Sequence, residues 1–338
     1  MPNLPRLKRP RGAAESAAPA AVPELSTPRV EEIEAAGIRW FNVEQPGPAE
    51  QAWLEEHFEF HPLDIEDVFS KNQRPKIDEY PDYLFLVLHI PVFNREIGRL
   101  GTGELDLFVG SDFVVTLPSR SLPPVEYLFE RCRADEDLRE KIFSRGSGYL
   151  MYRLVDDSFD YCFPMLRKIG NKLDALEDEI FEGRSEDVVR DISNAKQEII
   201  NFRKVIRPQR PVLQDLERAK ARYLTGGIDL EIYFDDIIDA HERIWDLLEN
   251  YKEVIEALEE TNESFLSHRV NDALRVLTAI TVSVLPLTLI ASIFGMNVGL
   301  PGGGDPEGGS MVTFAVVIGV MVAVLAGMVA WFRKRRWL

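Results

Sequence analysis

Residues 271–294 read NDALRVLTAITVSVLPLTLIASIF and residues 311–332 read MVTFAVVIGVMVAVLAGMVAWF. Within them lie two apolar runs of about 19 and 22 residues, each long enough to cross a hydrocarbon core of about 30 Å as an α-helix. A soluble core helix rarely reaches this length and apolarity. Two spans leave both ends of the chain on one side of the membrane. Arg333, Lys334, Arg335 and Arg336 follow the second span at once, whereas the loop 298–310 has no Lys or Arg and carries Asp305 and Glu307. The positive-inside rule puts the basic end, and with it the large N-terminal part, in the cytosol. Trp331 and Trp337 fall where interfacial anchors belong.

Upstream of the first span the helical pattern does not stop. From about residue 229 the chain meets no Pro until Pro286 and no Gly until Gly295. About 63 residues of helix would reach roughly 95 Å, far beyond a globular helix, so this element must leave the soluble part. Two more helical patterns precede it, over residues 149–181 and 186–223. Gly183 and the pair Gly226-Gly227 are the expected breaks, and Pro208 and Pro211 should interrupt the second pattern.

Residues 27–145 differ in kind. Runs rich in β-formers cover 38–43, 83–93 and 105–117, with short helical patterns at 49–58 and 63–69, which predicts a compact sheet flanked by helices. The fold class is therefore an α+β multidomain membrane protein: a cytosolic α/β domain, very long stalk helices and two C-terminal transmembrane helices. Its parts are a disordered basic tail (1–26), the α/β domain (27–145), the helical stalk (146–270), a first transmembrane helix (271–294), an external loop (295–310), a second transmembrane helix (311–332) and a basic cytosolic tail (333–338).

The formal net charge of -17 sits in the part before the spans. It argues against nucleic acid as a partner and suits a domain that meets cations, although a solvated helical surface gives the same composition. Two cysteines, Cys132 and Cys162, are far apart and suggest neither a disulfide framework nor a zinc cluster. Arg6, Lys8, Arg9 and Arg11 have no apolar run behind them, so the core of a secretory signal is missing. No phosphate-cradling Gly-x-x-x-x-Gly-Lys-Ser/Thr loop is present, which disfavours ATP as a partner. The five histidines are scattered and no nucleophile stands with a base, so an enzyme is not expected. His61 reads as a cap or packing residue.

A stripe along the first span carries the functional signal. Alternating steps of three and four residues from Asn271 reach Leu274, Thr278, Thr281, Leu285, Thr288, Ser292 and Gly295. Stepping backward reaches Ser267, Ser264 and Glu260. A period of 3.5 is the seam of helices winding round a common axis. Small and hydroxylated residues suit a helix-packing interface, but polar residues where a closed seam wants Leu or Ile favour a water-filled axis. Rings of Thr and Asn oxygens would then contact a hydrated cation, and rings of Leu274 and Leu285 would form apolar constrictions. One hairpin encloses no pore, so a cyclic homo-oligomer is required.

Phe294-Gly295-Met296-Asn297, preceded by Leu285-Pro286-Leu287-Thr288 and followed by a second span with a basic cluster and Trp337-Leu338, resembles the CorA family of divalent-metal transporters. So do His61-Pro62-Leu63, Glu66-Asp67 and Gln73-Arg74-Pro75-Lys76, and the likeness covers all but the N-terminal tail. It implies a funnel-shaped homopentamer in the cell inner (plasma) membrane, with Gly295, Met296 and Asn297 as selectivity filter and Asn297 as the ring that first holds the ion. Neutral amide oxygens suit Mg2+, which dehydrates reluctantly. Gly295 would supply backbone freedom to end the helix there. The resemblance also implies that cytosolic Mg2+ is a regulator as well as substrate, bound between subunits at Asp67 and Asp236, with the adjacent Asp235 as an alternative, and that Arg333, Lys334, Arg335 and Arg336 form a basic cytosolic ring.

Two departures from the commonest pattern bear on the metal. Phe294 replaces a frequent Tyr, and Val298-Gly299-Leu300-Pro301-Gly302 resembles the outer loop of the zinc-transporting ZntB branch. Between Asn271 and Asn297 the stripe offers oxygen and no Cys or His, which favours Mg2+, with Co2+ and Ni2+ also passing, over Zn2+. Passive Mg2+ uptake driven by the membrane potential is the expected function. Proton-coupled Zn2+ transport is the alternative, and a coiled coil merely tethered by its hairpin is the rival of another class.

Overall fold

The computed structural model describes residues 27–70, 73–94, 99–182, 185–223, 231–296 and 311–335. By its contacts the chain divides into two units. One holds the described residues up to Arg167 together with Ile200–Leu248, and the other holds Lys168–Ile199 with the described residues from Glu249 onward.

In the first unit the strands β1 (Glu31–Ala35), β2 (Ile38–Asn42), β3 (Lys76–Glu79), β4 (Tyr83–Asn94), β5 (Arg99–Gly110) and β6 (Phe113–Pro118) form one sheet in the order β1-β2-β6-β5-β4-β3. Only β2 and β6 run parallel. Helices α1 (Pro48–His57) and α2 (Pro62–Phe69) follow β2. Their Leu54, Ile65 and Val68 close a core with Phe41, Phe85, Val87 and Phe108. Three further helices follow β6: α3 (Pro123–Ala134), α4 (Glu136–Phe143) and α5 (Ser147–Asp160). Phe129 of α3 meets the buried Trp40 ring edge-on at 4.8 Å. A sheet covered on both faces explains why β4 reads as an unbroken apolar run rather than an alternating one.

Three sequence expectations are corrected here. The run 105–117 is a hairpin, turned at Ser111-Asp112, where Gly110 lies so close to the Phe113 ring that a Cβ would stand 2.2 Å from it. Strands β1 and β3 were not legible. Of β1 only Ile33 is buried, and it joins β2 through Ala36 and Gly37, both left-handed at φ 49° and 79°, the geometry of a two-residue hairpin turn. Finally, the helical pattern over 149–181 is two helices, α5 and α6 (Cys162–Glu182), separated at Tyr161. Pro164 has no N–H for the Asp160 carbonyl four residues back and crowds it, which ends α5 there.

Four helices follow: α7 (Ser185–Ile206), α8 (Arg210–Tyr223), α9 (Glu231–Phe294) and α10 (Met311–Lys334). A 3-10 turn at Arg207–Gln209 separates α7 from α8, where the two prolines predicted an interruption. The 64 residues of α9 form one helix that passes through Pro286. In the second unit the buried residues step four, three, four: Ile169, Leu173, Leu176 and Ile180 on α6, then Val188, Ile192, Ala195 and Ile199 on α7. Ile255, Leu258 and Asn262 answer them on α9. This is the 3.5-residue period of helices packed knobs into holes. Gly170 permits a close approach, since a Cβ there would meet the Tyr251 hydroxyl at 2.8 Å.

Both α9 and α10 contain windows long and apolar enough to cross a membrane, of which 6% and 0% is buried within the chain. A soluble core would have covered them. The expected basic tail, the breaks at Gly183 and Gly226-Gly227, and the loop from residue 297 to 310 lie outside the described residues.

Candidate functional site

On α9 every residue of the stripe from Asn271 through Ser292 is exposed, with Leu274 at 52% and Leu285 at 63%. The covered face is another one. Ala279 and Ser283 are buried, and Pro286, Leu287 and Ile290 are half-buried. At 3.6 residues per turn these five cluster on the side of the helix roughly opposite the stripe. Helix α10 likewise has one less exposed line, the half-buried Val317, Met321, Val324 and Met328 with the buried Phe332. Among the described residues the chain thus covers one face of α9 and leaves the hydroxylated face exposed.

The hydroxyls on that face are oriented by the helix. Thr278 Oγ1 donates to the Leu274 carbonyl at 2.7 Å, Thr281 Oγ1 to Leu277 at 2.9 Å and Thr288 Oγ1 to Val284 at 3.0 Å. With its proton spent on the preceding turn, each oxygen keeps lone pairs directed outward. Water in the shell of a cation is a hydrogen-bond donor, so a line of such acceptor oxygens would suit it.

At the end of α9 the Gly295 N–H donates to the Ala291 carbonyl at 2.9 Å and Met296 is exposed. Gly295 is not left-handed, contrary to expectation. A Cβ there would stand 3.1 Å from the Ala291 carbonyl oxygen, a tight contact with the preceding helical turn. Asn297 lies outside the described residues, as does Arg336. Arg333, Lys334 and Arg335 are exposed at the end of α10, the last with its guanidinium 5.8 Å from the Trp331 ring.

The two candidate regulatory acids belong to different clusters. Asp67 is on α2, which begins with His61 as its cap: Nδ1 accepts the Leu63 N–H at 3.2 Å. There Asp67 pairs with Lys76 at 2.6 Å. Beside it the buried Asp64 accepts the Tyr83 and Tyr80 hydroxyls at 2.9 and 3.1 Å. Burial raises the Asp64 carboxyl above the usual range against the pull of those two hydroxyls and Lys76. Asp236 is exposed in the first turns of α9, as is Asp235. It adds to the negative field at Asp156, whose pKa is pushed up to about 6, first by burial and then by its acidic neighbours, against Arg153. Among the described residues no group of three or more His, Cys, Asp or Glu is arranged to hold a metal ion within one chain. Asp64 and Tyr83 are site residues that sequence reasoning missed, and Lys76 entered it only as part of the Gln73-Arg74-Pro75-Lys76 motif; the further signal was the spacing of Asp64 with Asp67 and of Lys76 with Asp78.

Comparison with known proteins points one way. A family model described as CorA-like Mg2+ transporter protein matches residues 35–334. YfjQ of Bacillus subtilis strain 168 is 31% identical over 313 residues, 91% of this chain and 93% of that protein. The cobalt/magnesium transport protein CorA of Thermotoga maritima is 30% identical over 283 residues, 84% of this chain and 78% of that one. Among solved structures, the complete CorA magnesium transporter of Methanocaldococcus jannaschii superposes with a TM-score of 0.76 at 21% identity, covering 89% of this chain and 92% of its own.

Proposed function

This chain belongs to the CorA family, a family of transporters and not of enzymes, and from that premise we propose that it carries divalent cations through a homopentameric, channel-like pore. The single observation that supports the pore is the stripe of α9, whose residues from Asn271 through Ser292 stay exposed among the described residues, its threonine hydroxyls bonded only to the preceding turn of their own helix. Copies of α9 round a cyclic axis enclose it. Asn271, Thr278, Thr281, Thr288 and Ser292 line the path, Leu274 and Leu285 constrict it, and Gly295, Met296 and Asn297 form its outer filter.

Mg2+ is the proposed substrate, with Co2+ and Ni2+ also passing, because the path offers oxygen alone. The α/β domain (27–145) and the helices to residue 270 lie in the cytosol beneath an inner (plasma) membrane crossed by residues 271–294 and 311–332, with both termini cytosolic. A dication moving inward gains roughly 4.6 kcal/mol per 100 mV of inside-negative potential, so no ATP is needed. Cytosolic Mg2+ held between subunits at Asp67 and Asp236 favours the closed ring, and its loss opens it.

The test is uptake of Mg2+ and of Zn2+ into proteoliposomes, each with and without an inward proton gradient. Saturable Mg2+ uptake indifferent to protons is the expected result. Proton-stimulated Zn2+ uptake without Mg2+ flux would overturn the metal assignment, and no flux of either metal would leave only a membrane tether.

A further inference from the structure

Asp67 already has a cation. Lys76 Nζ lies 2.6 Å from Asp67 Oδ2, bonds Asp78 Oδ2 and stands 3.8 Å from Asp64 Oδ1. Local structure makes the three carboxylates converge: Asp64 and Asp67 are one turn apart on α2, and Lys76 and Asp78 share a face of β3. The ammonium also sits 4.9 Å from the Phe85 ring centre, which steadies it.

A fourth acid is directed to the same place. Strand register runs from Lys76 to Val87 to Asp106 straight across β3, β4 and β5, so Asp106 faces the side that Lys76 faces. It is 2% exposed, and its Oδ1 has no partner among the described residues. One tethered positive charge stands among four acids.

We propose that Lys76 is a built-in competitor for the divalent cation at Asp67, so that metal binds there only when the ammonium swings away. The lysine thereby sets how much cytosolic metal the site requires. This rests on Asp67 being a regulatory ligand. An ammonium and a dication on the same carboxylate repel at contact distance, in a half-buried setting where that repulsion is poorly screened. Asp64 cannot move with either cation, since its oxygens are held by Tyr83 and Tyr80. Asp78, with 40% of its side chain exposed, gives the displaced lysine a partner nearer to solvent.

The experiment titrates MgCl2 at constant ionic strength into the full-length chain in detergent and reads protection from chymotrypsin. Lys76→Met should lower the half-protecting Mg2+ concentration about tenfold, the scale of one charge removed from a partly buried pair. Lys76→Arg, which keeps the charge, should stay within about twofold of the parent. If Lys76→Met does not fold, Lys76→Gln must shift the midpoint the same way. A neutral variant with the parent's midpoint, while Asp67→Asn needs more Mg2+, overturns the competitor and leaves the site intact. An Asp67→Asn midpoint equal to the parent's removes the site and the competitor together.

Discussion

Gln209 takes the place of a neighbouring strand beside His89: its Oε1 accepts the His89 N–H at 3.2 Å and its Nε2 donates to the His89 carbonyl at 2.7 Å. The need arises because β3 pairs with β4 only from Leu84 to Val87, leaving the next peptide of β4 without a partner on that edge. The same Nε2 donates to the Val205 carbonyl at 3.0 Å, so one buried amide fastens the sheet edge to the end of α7.

Replacing that amide with an apolar group of similar size, Gln209→Leu, should therefore orphan buried backbone groups and destabilise the first unit by about 2–4 kcal/mol. Hydrogen exchange is the direct measurement. The His89 amide should lose its protection ahead of its neighbours toward the strand start, and an unchanged rate would mean that water already satisfies this edge.

Asp106 predicts a pH dependence with a definite sign. Burial, then the like charges of Glu104 and Asp67, raise its pKa well above the ordinary value, against Lys76. Between the unfolded value of about 3.9 and the higher folded one, the native chain keeps a proton that the unfolded chain has lost. Its contribution is thus fully present at low pH and falls as pH rises through that window. Asp106→Asn should flatten this slope and melt above the parent at neutral pH. Parallel melting curves for the two chains from pH 4 to 8 would show that Asp106 ionises normally.

Asn297→Ala should abolish Mg2+ flux into proteoliposomes while native mass spectrometry finds the oligomer unchanged, since it removes the amide oxygens proposed to hold the hydrated ion. Wild-type flux in the variant would make the motif structural.

Leu285→Ser should leak at internal Mg2+ concentrations that close the parent, because a ring of hydroxyls wets a constriction that an apolar ring keeps dry. Leu285 is 63% exposed, so its loss removes little packing among the described residues. Conductance at high internal Mg2+ that stays at or below the parent's would count against Leu285 as a gate.

The 64 residues of α9 show how much of the architecture was legible. With no Gly and one Pro from Glu231 to Phe294, nothing in the sequence breaks the helical pattern, and the structure shows one continuous helix. The stripe was legible too, because residues three and four apart must share a face of a helix. What that face does not touch had to be seen: Ala279 and Ser283 are buried and Thr278 and Thr281 are not. β1 escaped notice because its EEIEA has one buried side chain, and β3 because its KIDE has none that is fully buried. Edge strands of this kind are specified by the neighbour they pair with, not by their own pattern.

The sequence by itself determined the apolar hairpin and the long helix, since these depend on helical period and on run length against bilayer thickness. Only the tertiary structure decided that Lys76 sits among Asp64, Asp67 and Asp78, that Asp106 lies in line with it, and that Gln209 closes on His89. These meetings depend on strand order and register. A one-residue slip of β5 would turn Asp106 to the opposite face of the sheet, and no local pattern in either segment encodes which residue of its neighbour it will lie beside.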